Sequence, residues 1–224
     1  LPLDSSAKVV GPRLLHGSQW GYIDPIDTPD GGNIGTHKHL SIMTKISNNY
    51  STEKMKKWMM HNLDLQLIEY SHKSYLHATT KVILNGTWFA VTENPIEFIT
   101  TTKYYRRINQ IPYHVSATFN IAENTIYVYT DSGRLLRPIF FIEDKKLSIQ
   151  EAKMVDKLLK DDLSWEEIIG GKFIDDIKHP GLVDYIDPSE SNDAYICMRA
   201  DKLKEKNSFT HLEIEPSLIF GILG

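Results

Sequence analysis

The chain has 224 residues, and its 41% hydrophobic and 24% charged residues are an ordinary composition for a globular protein. A net charge of −4 excludes a basic field over the whole chain, and the apolar runs are too short for a membrane span of about 20 residues. The single cysteine, Cys197, excludes an internal disulfide and predicts a reducing, intracellular location, and its apolar neighbours predict a buried, inert thiol.

The charge is uneven along the sequence. Residues 1–47 carry four basic and four acidic side chains, residues 48–112 carry eight and five, and residues 113–224 carry thirteen and twenty. Neutralisation of phosphates by Lys and Arg dominates nucleic-acid affinity, so any nucleic-acid contact is expected in the first half of the chain. We expect that contact to be weak for the chain by itself.

Residues 21–35 form a loop rich in Gly and Pro, and residues 42–46 begin either a short strand or a helix. In the loop, Pro29 sets one turn dihedral, while Gly31 and Gly32 allow a positive φ or the close approach of another molecule. Four basic or hydrogen-bonding side chains flank the loop, as they would on a surface that meets phosphate or bases: Arg13, His16, Gln19 and Lys38.

The first long helix is predicted to follow Ser51, a suitable N-cap. Its apolar residues recur at helical spacing, which favours a core stripe over a binding groove: Met55, Trp58, Met59 and Leu63. The next element is a hairpin over residues 80–93, because Asn85-Gly86 is the strongest two-residue turn signal.

A second helix is predicted from Asn94-Pro95, with Asn94 as the cap, Pro95 at the first helical position and Glu97 reaching back. The end of this helix carries a basic cluster. Such a cluster is either a solvated helix end, favoured by the helix dipole, or a contact with a nucleic-acid backbone. The cluster consists of Lys103, Arg106 and Arg107.

The second half of the chain alternates short strands and helices. A hairpin over residues 115–130 is followed by a turn and a strand over residues 134–142. Capping boxes at Ser148-x-x-Glu151 and Ser164-x-x-Glu167 each begin a helix; the first runs to about Lys160, and Gly170-Gly171 ends the second. Residues 181–186 and 194–198 are predicted to pair as strands across a polar loop, residues 187–193. This order predicts an α+β fold of several small mixed modules, without a doubly wound parallel sheet.

Four motifs follow one another near the amino end. Pro-Arg-Leu-Leu-His occupies residues 12–16, Ser-Gln-Trp-Gly residues 18–21, Pro-Ile-Asp-Thr-Pro-Asp-Gly residues 25–31, and Gly-Thr-His-Lys-His-Leu-Ser-Ile-Met residues 35–43. In this order and spacing they resemble the fork region of the second-largest subunit of multisubunit DNA-directed RNA polymerases. A lone Thr-Pro-Asp-Gly would be a common turn, but four motifs at fitting distances are a specific signal.

Later stretches resemble further domains of the same subunit. Residues 81–95 and 130–138 resemble its first external domain, residues 183–187 its second, and residues 210–217 the start of its hybrid-binding domain. The resemblance implies these domains: fork (partial), 1–47; connecting helical segment, 48–79; external 1, 80–144; external 2, 145–206; truncated start of the hybrid-binding domain, 207–224. Both ends look cut, which predicts a piece of a longer chain. The motifs resemble eukaryotic, archaeal and large-DNA-virus subunits more than bacterial ones, and a large DNA virus is a hypothesis for the source.

The resemblance implies that the fork residues lie near the RNA–DNA hybrid and the incoming nucleotide. Arg13 would contact phosphate or hold the loop by a bidentate pair. Asp30 stands where the family usually has Glu, so it either reaches a partner or only serves the turn. Gly31 serves the turn or helps to cradle a phosphate. The candidate site residues are Arg13, His16, Gln19, Thr28, Pro29, Asp30, Gly31 and Lys38.

The family reaction is nucleotidyl transfer in DNA-templated RNA synthesis, with two Mg²⁺ ions clamping the reacting oxygens. The resemblance implies that an Asp-Phe-Asp-Gly-Asp motif of the largest subunit holds the metal, and this sequence has no such motif. We therefore expect no catalytic residue and no metal in this chain, which would be inactive alone. The implied partners are the largest and other polymerase subunits, template DNA and the RNA–DNA hybrid, with no membrane. Nucleus, cytoplasm and virion or viral factory stay open as locations.

A second class of function stays open: a non-enzymatic binding module or relict that interacts with polymerase partners or nucleic acid. Other chemistry is disfavoured. The nine histidines occur without a Cys pair or a His-Glu-x-x-His helix, which disfavours a zinc site. No Gly-x-Ser-x-Gly motif places a serine nucleophile, which disfavours a hydrolase.

Overall fold

The computed structural model describes residues 9–143, 146–150, 152–160, 162–174, 176–204 and 208–220. Its elements in chain order are β1 (Lys45–Ile46), α1 (Thr52–Asn62), β2 (Gln66–Leu67), α2 (Lys73–Ala78), β3 (Thr80–Leu84), β4 (Thr87–Thr92), α3 (Pro95–Arg107), β5 (Ser116–Asn120), β6 (Thr125–Tyr129), β7 (Leu135–Glu143), β8 (Lys146–Leu147), α4 (Ala152–Leu159), α5 (Trp165–Gly170), β9 (Lys172–Ile174), β10 (Ile177–His179), β11 (Val183–Ile186), α6 (Pro188–Asn192), β12 (Ile196–Cys197), β13 (His211–Leu212) and α7 (Ser217–Phe220). The predicted α+β class with several small mixed modules is confirmed.

One sheet has five strands in the order β2-β4-β3-β6-β5. It contains both predicted hairpins, since β3 pairs antiparallel with β4 and β5 pairs antiparallel with β6. Asn85 and Gly86 have φ values of 47° and 80°, which is the left-handed backbone that a two-residue turn requires. The two hairpins join through a parallel β3–β6 pair, which no local signal indicated.

Helices α1 and α3 supply the apolar side chains that cover this sheet. Met55 and Met59 are 0% exposed and belong to the same buried cluster as Val82, Phe98 and Ile126. The predicted core stripe is therefore confirmed. Helix α1 begins where the sequence predicted, because the Ser51 side chain accepts a hydrogen bond from the Lys54 backbone nitrogen. Strand β2 also pairs with β4, so residues 52–67 pack onto the sheet that follows them.

The second sheet is built around the nine-residue strand β7, which pairs antiparallel with β1, β8, β11 and β13. Strand β12 pairs in parallel with β13. The predicted pairing of residues 181–186 with 194–198 is wrong: both strands exist, but β11 pairs with β7 and β12 with β13. A strand offers two edges for pairing, and β11 and β13 lie on opposite edges of β7, since Phe140 pairs with both Val183 and Leu212.

Residues 187–193 are not the predicted polar loop. They form helix α6, and the Asp187 side chain caps it by accepting a hydrogen bond from the Glu190 backbone nitrogen at 2.8 Å. Asp before Pro is a sound helix-start signal, with Pro188 at the first helical position. The many polar residues of this stretch are typical of a loop, which is why the sequence did not predict the helix. Two of them, Asp187 and Glu190, are in fact buried by partners elsewhere in the chain.

The remaining helix ends give mixed outcomes. The capping box of Ser164 and Glu167 is present, and α5 ends at Gly171 with φ of 74°, as predicted. Pro95 begins α3, but the Asn94 side chain makes no capping bond within the described residues. Glu151 lies outside the described residues. Ser148 lies in a 3-10 helix, and its hydroxyl donates to the Leu182 carbonyl at 2.6 Å.

Cys197 is 1% exposed, so the predicted buried thiol is confirmed. Over the residues that the structure describes, every helix is too short or too polar to cross a membrane.

Candidate nucleic-acid interface

The candidate residues lie in the fork segment, defined here as residues 9–44. This segment consists of three 3-10 helices, Gly11–Arg13, Gly17–Gln19 and Gly31–Asn33, and a single β-bridge between Ile23 and Leu40. Such short turns make few internal backbone bonds. The shape of the segment therefore depends on its side chains as well as on backbone bonds such as that from Asp24 to the His39 carbonyl.

Arg13 holds two parts of the fork segment together. Its Nη1 donates to the carbonyls of Gly32 at 2.5 Å and Ile34 at 3.1 Å, and its Nε donates to that of Val9 at 3.0 Å. Gly35 has φ of 73°, and a Cβ there would lie 2.1 Å from the Arg13 carbonyl oxygen. Arg13 thus fixes the loop through backbone carbonyls, and only glycine fits at position 35.

Lys38, Gln19 and His16 form a second group. Lys38 Nζ donates to the Leu14 carbonyl at 3.1 Å and to Gln19 Oε1 at 3.3 Å. Gln19 Oε1 also accepts from the His16 backbone nitrogen at 3.2 Å, while His16 Nδ1 accepts from the Ser18 backbone nitrogen. Lys38 and His16 are both exposed.

The other four candidate residues shape the glycine turn. The Thr28 hydroxyl accepts a hydrogen bond from the Gly35 backbone nitrogen at 2.7 Å. Pro29 leads into Asp30, which is exposed and precedes the Gly31–Asn33 turn without a side-chain capping bond in the described part of the chain. Gly31 has φ of 70° with no atom within 4 Å of a built Cβ, so the turn needs its backbone freedom and not its small size.

The fork segment carries no strong positive field. Asp24 uses its carboxylate locally, since Oδ1 accepts from the backbone nitrogens of Ile26 and Asp27. His39 Nδ1 lies 3.8 Å from Asp27 Oδ2, and both side chains are exposed. Several apolar side chains are also exposed, including Leu14 at 62% and Ile34 at 52%. The segment therefore offers shape, hydrogen-bond donors and apolar surface more than net charge.

Gly21 and Tyr22 attach the fork segment to the second sheet. Tyr22 is 2% exposed, and its hydroxyl donates to the carbonyl of Ile186 in β11 at 3.2 Å. Burial raises the pKa of this hydroxyl well above its ordinary value. Gly21 has φ of 81°, and a Cβ there would lie 1.9 Å from Nη1 of Arg137 in β7. The loop is exposed, but its base is firmly packed.

A buried ion cluster was missed by the sequence reasoning. Arg106 Nη1 lies 2.7 Å from Glu190 Oε1, and Arg107 Nη2 lies 2.7 Å from Asp184 Oδ2. Both interpretations of the basic end of α3 are therefore wrong for Arg106 and Arg107, which are 3% and 8% exposed. Their acidic partners lie 77 to 84 residues later in the chain, so no local spacing could indicate the pairs.

Arg134 extends the same cluster between the two sheets. Its Nη1 donates to Asp187 Oδ2 at 2.9 Å and to the Ser116 hydroxyl at 2.8 Å, and its Nη2 donates to the His114 carbonyl at 2.8 Å. Burial alone would raise the pKa of Asp184, but the charges of Arg107 and Arg106 outweigh it and hold this pKa well below its usual range. Asp184 is therefore ionised near neutral pH.

The carboxylates of this cluster do not fit a Mg²⁺ site. Each of Asp184, Asp187 and Glu190 is held by an arginine, and a metal ion would have to compete with that positive charge. Among the described residues, no group of three or more His, Cys, Asp or Glu side chains could hold a metal ion.

Comparison with known proteins identifies the class to which this fold and exposed loop belong. Three family profiles match in order: RNA polymerase Rpb2 domain 3 over residues 2–46, domain 4 over residues 82–143, and domain 5 over residues 174–216. They are consecutive parts of one subunit and together match more than half of the chain. The chain belongs to the family of second-largest subunits of DNA-directed RNA polymerases.

Individual relatives agree with this family. The chain is 30% identical to DNA-directed RNA polymerase II subunit RPB2 of Encephalitozoon cuniculi, over 99% of this chain and 19% of the relative. It is 33% identical to RNA polymerase III subunit RPC2 of Saccharomyces cerevisiae, over 97% of this chain and 18% of the relative. The chain thus spans about a fifth of the length of these relatives. A large-virus source stays a hypothesis.

Proposed function

We propose that this chain carries the fork and external-domain part of a second-largest polymerase subunit. In the assembled enzyme, the fork segment would lie beside template DNA and the RNA–DNA hybrid during transcription. The supporting observation is the shape of the segment, a loop held by Arg13 and Lys38 through backbone carbonyls and exposed at its tip. A preshaped loop can position a nucleic acid without freezing flexible side chains when it binds.

The proposed role is positioning, and the chemistry would take place elsewhere. Correct placement of reactants supplies a large part of enzymatic rate enhancement. The Mg²⁺ ions of this reaction class would be held by other segments and by the largest subunit, because the buried carboxylates here are held by arginines. His16 and Lys38 are the exposed donors best placed to meet a phosphate or a base edge.

Fluorescence anisotropy with a labelled, forked DNA–RNA scaffold tests this role. We expect weak binding. A plot of the logarithm of the association constant against the logarithm of the salt concentration should have a slope of about −2, the value for roughly two phosphate contacts. Arg13→Ala should abolish binding, because it releases the loop carbonyls of Gly32 and Ile34. Lys57→Ala is the matched control, since this exposed lysine on α1 lies outside the fork segment.

The binding experiment has clear contrary results. Tight binding at physiological salt would contradict the charge distribution, and an equal loss in Arg13→Ala and Lys57→Ala would exclude the fork segment as the site. A polymerisation assay with Mg²⁺, scaffold and nucleoside triphosphates tests the absence of independent activity. Extension of the RNA by the purified chain would overturn the proposal that its metal-binding carboxylates lie elsewhere.

A second candidate function is a protein contact through the same segment. Leu14, Ile34 and Ile42, three exposed apolar residues in one short segment, favour it, because exposed apolar surface can mark a protein interface. We propose other polymerase subunits, the largest subunit above all, as the partners, and the interior of the cell as the location. Co-purification with the largest subunit, compared between the wild type and Leu14→Ser, tests this contact; equal recovery would exclude Leu14 from the interface.

A further inference from the structure

Lys45, which directly follows the fork segment, points its ammonium group at three aromatic rings. Lys45 Nζ lies 5.1 Å from the ring centroid of Tyr185, 5.7 Å from that of Tyr113 and 5.8 Å from that of Trp165. All three distances are within the roughly 6 Å over which a cation is attracted to the face of a ring. Several rings around one ammonium form an aromatic cage, the arrangement by which proteins bind alkylated ammonium groups.

The walls of this cage come from separate elements. Tyr113 lies between α3 and β5, Trp165 is the first residue of α5, and Tyr185 lies in β11. Tyr113 and Tyr185 contact each other with ring centroids 5.0 Å apart. Tyr185 is 1% exposed, whereas Trp165 is 42% exposed. The cage is therefore buried at Tyr185 and reached by solvent at Trp165.

The ammonium of Lys45 has no carboxylate partner within the described part of the chain. The strand that carries it is weak, because β1 has only two residues, paired with Leu135 and Leu136 of β7. The next backbone bond is donated by the Ser47 nitrogen to the Arg134 carbonyl at 2.8 Å. Attraction to the rings thus adds to the hydrogen bonds that Ser47 makes with residues 131–134 at this end of the fork segment.

We propose that Tyr113, Trp165 and Tyr185 form a cation-binding site that the chain fills with its own Lys45, and that the attraction between this charge and the three rings helps to hold β1 and the adjoining end of the fork segment in place. Lys45 is then a positioning residue, and the ligand class of the site is a primary or alkylated ammonium ion.

Amide hydrogen exchange at Ser47 measures the contribution of the charge. Lys45→Met keeps the length of the side chain and removes the charge, so we expect local opening to increase about tenfold. Lys45→Arg keeps a cation and should stay within about threefold of the wild type. Lys57→Met, at an exposed position on α1, is the matched control and should leave the exchange unchanged. Circular dichroism checks that each variant is folded.

Chemical rescue tests the cage as a binding site. In Lys45→Ala, added methylammonium chloride should restore slow exchange at Ser47 in a dose-dependent way, while sodium chloride at equal concentration should not. Removing one wall in the double variant with Trp165→Leu should abolish the rescue. Equal exchange in Lys45→Met and the wild type would overturn the proposal, as would an Arg variant as open as the Met variant or equal rescue by sodium chloride.

Discussion

Glu190→Gln should destabilise the protein strongly, although it only replaces one carboxylate oxygen by an amide nitrogen. Glu190 and Arg106 are each 3% exposed. The carboxylate accepts from Arg106 Nη1 at 2.7 Å and Nη2 at 3.1 Å, and Oε1 also accepts from the Ala117 backbone nitrogen at 2.8 Å. A glutamine keeps the shape but leaves the buried guanidinium without its closest negative charge.

The expected cost follows from the burial of this pair. Removing one partner of a buried ion pair costs about 3–5 kcal/mol, because the other charge stays desolvated and uncompensated. Asp184 Oδ1, 3.7 Å from Arg106 Nη2, offsets part of that loss. We therefore expect Glu190→Gln to lower the free energy of unfolding by about 3 kcal/mol, a large share of the roughly 5–15 kcal/mol of a typical domain.

Urea unfolding at pH 7, followed by circular dichroism, measures this change. The matched control is Asp201→Asn, which breaks the exposed Arg199–Asp201 pair with its 3.0 Å contact and should cost less than about 1 kcal/mol. A Glu190→Gln free energy of unfolding within about 0.5 kcal/mol of the wild type would refute the reasoning. Such a result would mean that the pair does not couple α3 to α6 energetically.

Two further predictions concern a glycine and a histidine. In the same urea assay, Gly21→Ala should destabilise the protein more than Gly86→Ala. Both residues have positive φ, but only a Cβ at Gly21 meets another atom, Arg137 Nη1 at 1.9 Å. Equal losses of unfolding free energy in the two variants would contradict this packing. Burial lowers the pKa of His211 to about 4, whereas an unfolded histidine titrates near 6.5. Because only the unfolded state takes up the proton between these values, stability should fall by about 3 kcal/mol as the pH drops from about 6.5 to 4. His211→Gln should weaken that fall, and identical pH profiles of the two proteins would exclude His211 as its cause.

The sequence predicted those elements whose signals are local. The Asn85-Gly86 turn, the Ser51 cap and the Ser164–Glu167 capping box each depend on atoms within a few residues, and all three occur in the structure. The fork segment was singled out by motifs of the same short range. Its internal bonds, such as Arg13 to the carbonyl of Gly32, could not be read from spacing because they join separate turns.

By itself, the sequence determined the hairpins, most helix starts, the α1 core stripe and the family to which the chain belongs. Only the tertiary structure decided that β11 and β12 pair with different strands, that the basic end of α3 is buried, and that Lys45 meets three rings. The physical reason is distance along the chain. Arg106 and Glu190 are 84 residues apart, and their attraction exists only after the modules have packed and excluded water.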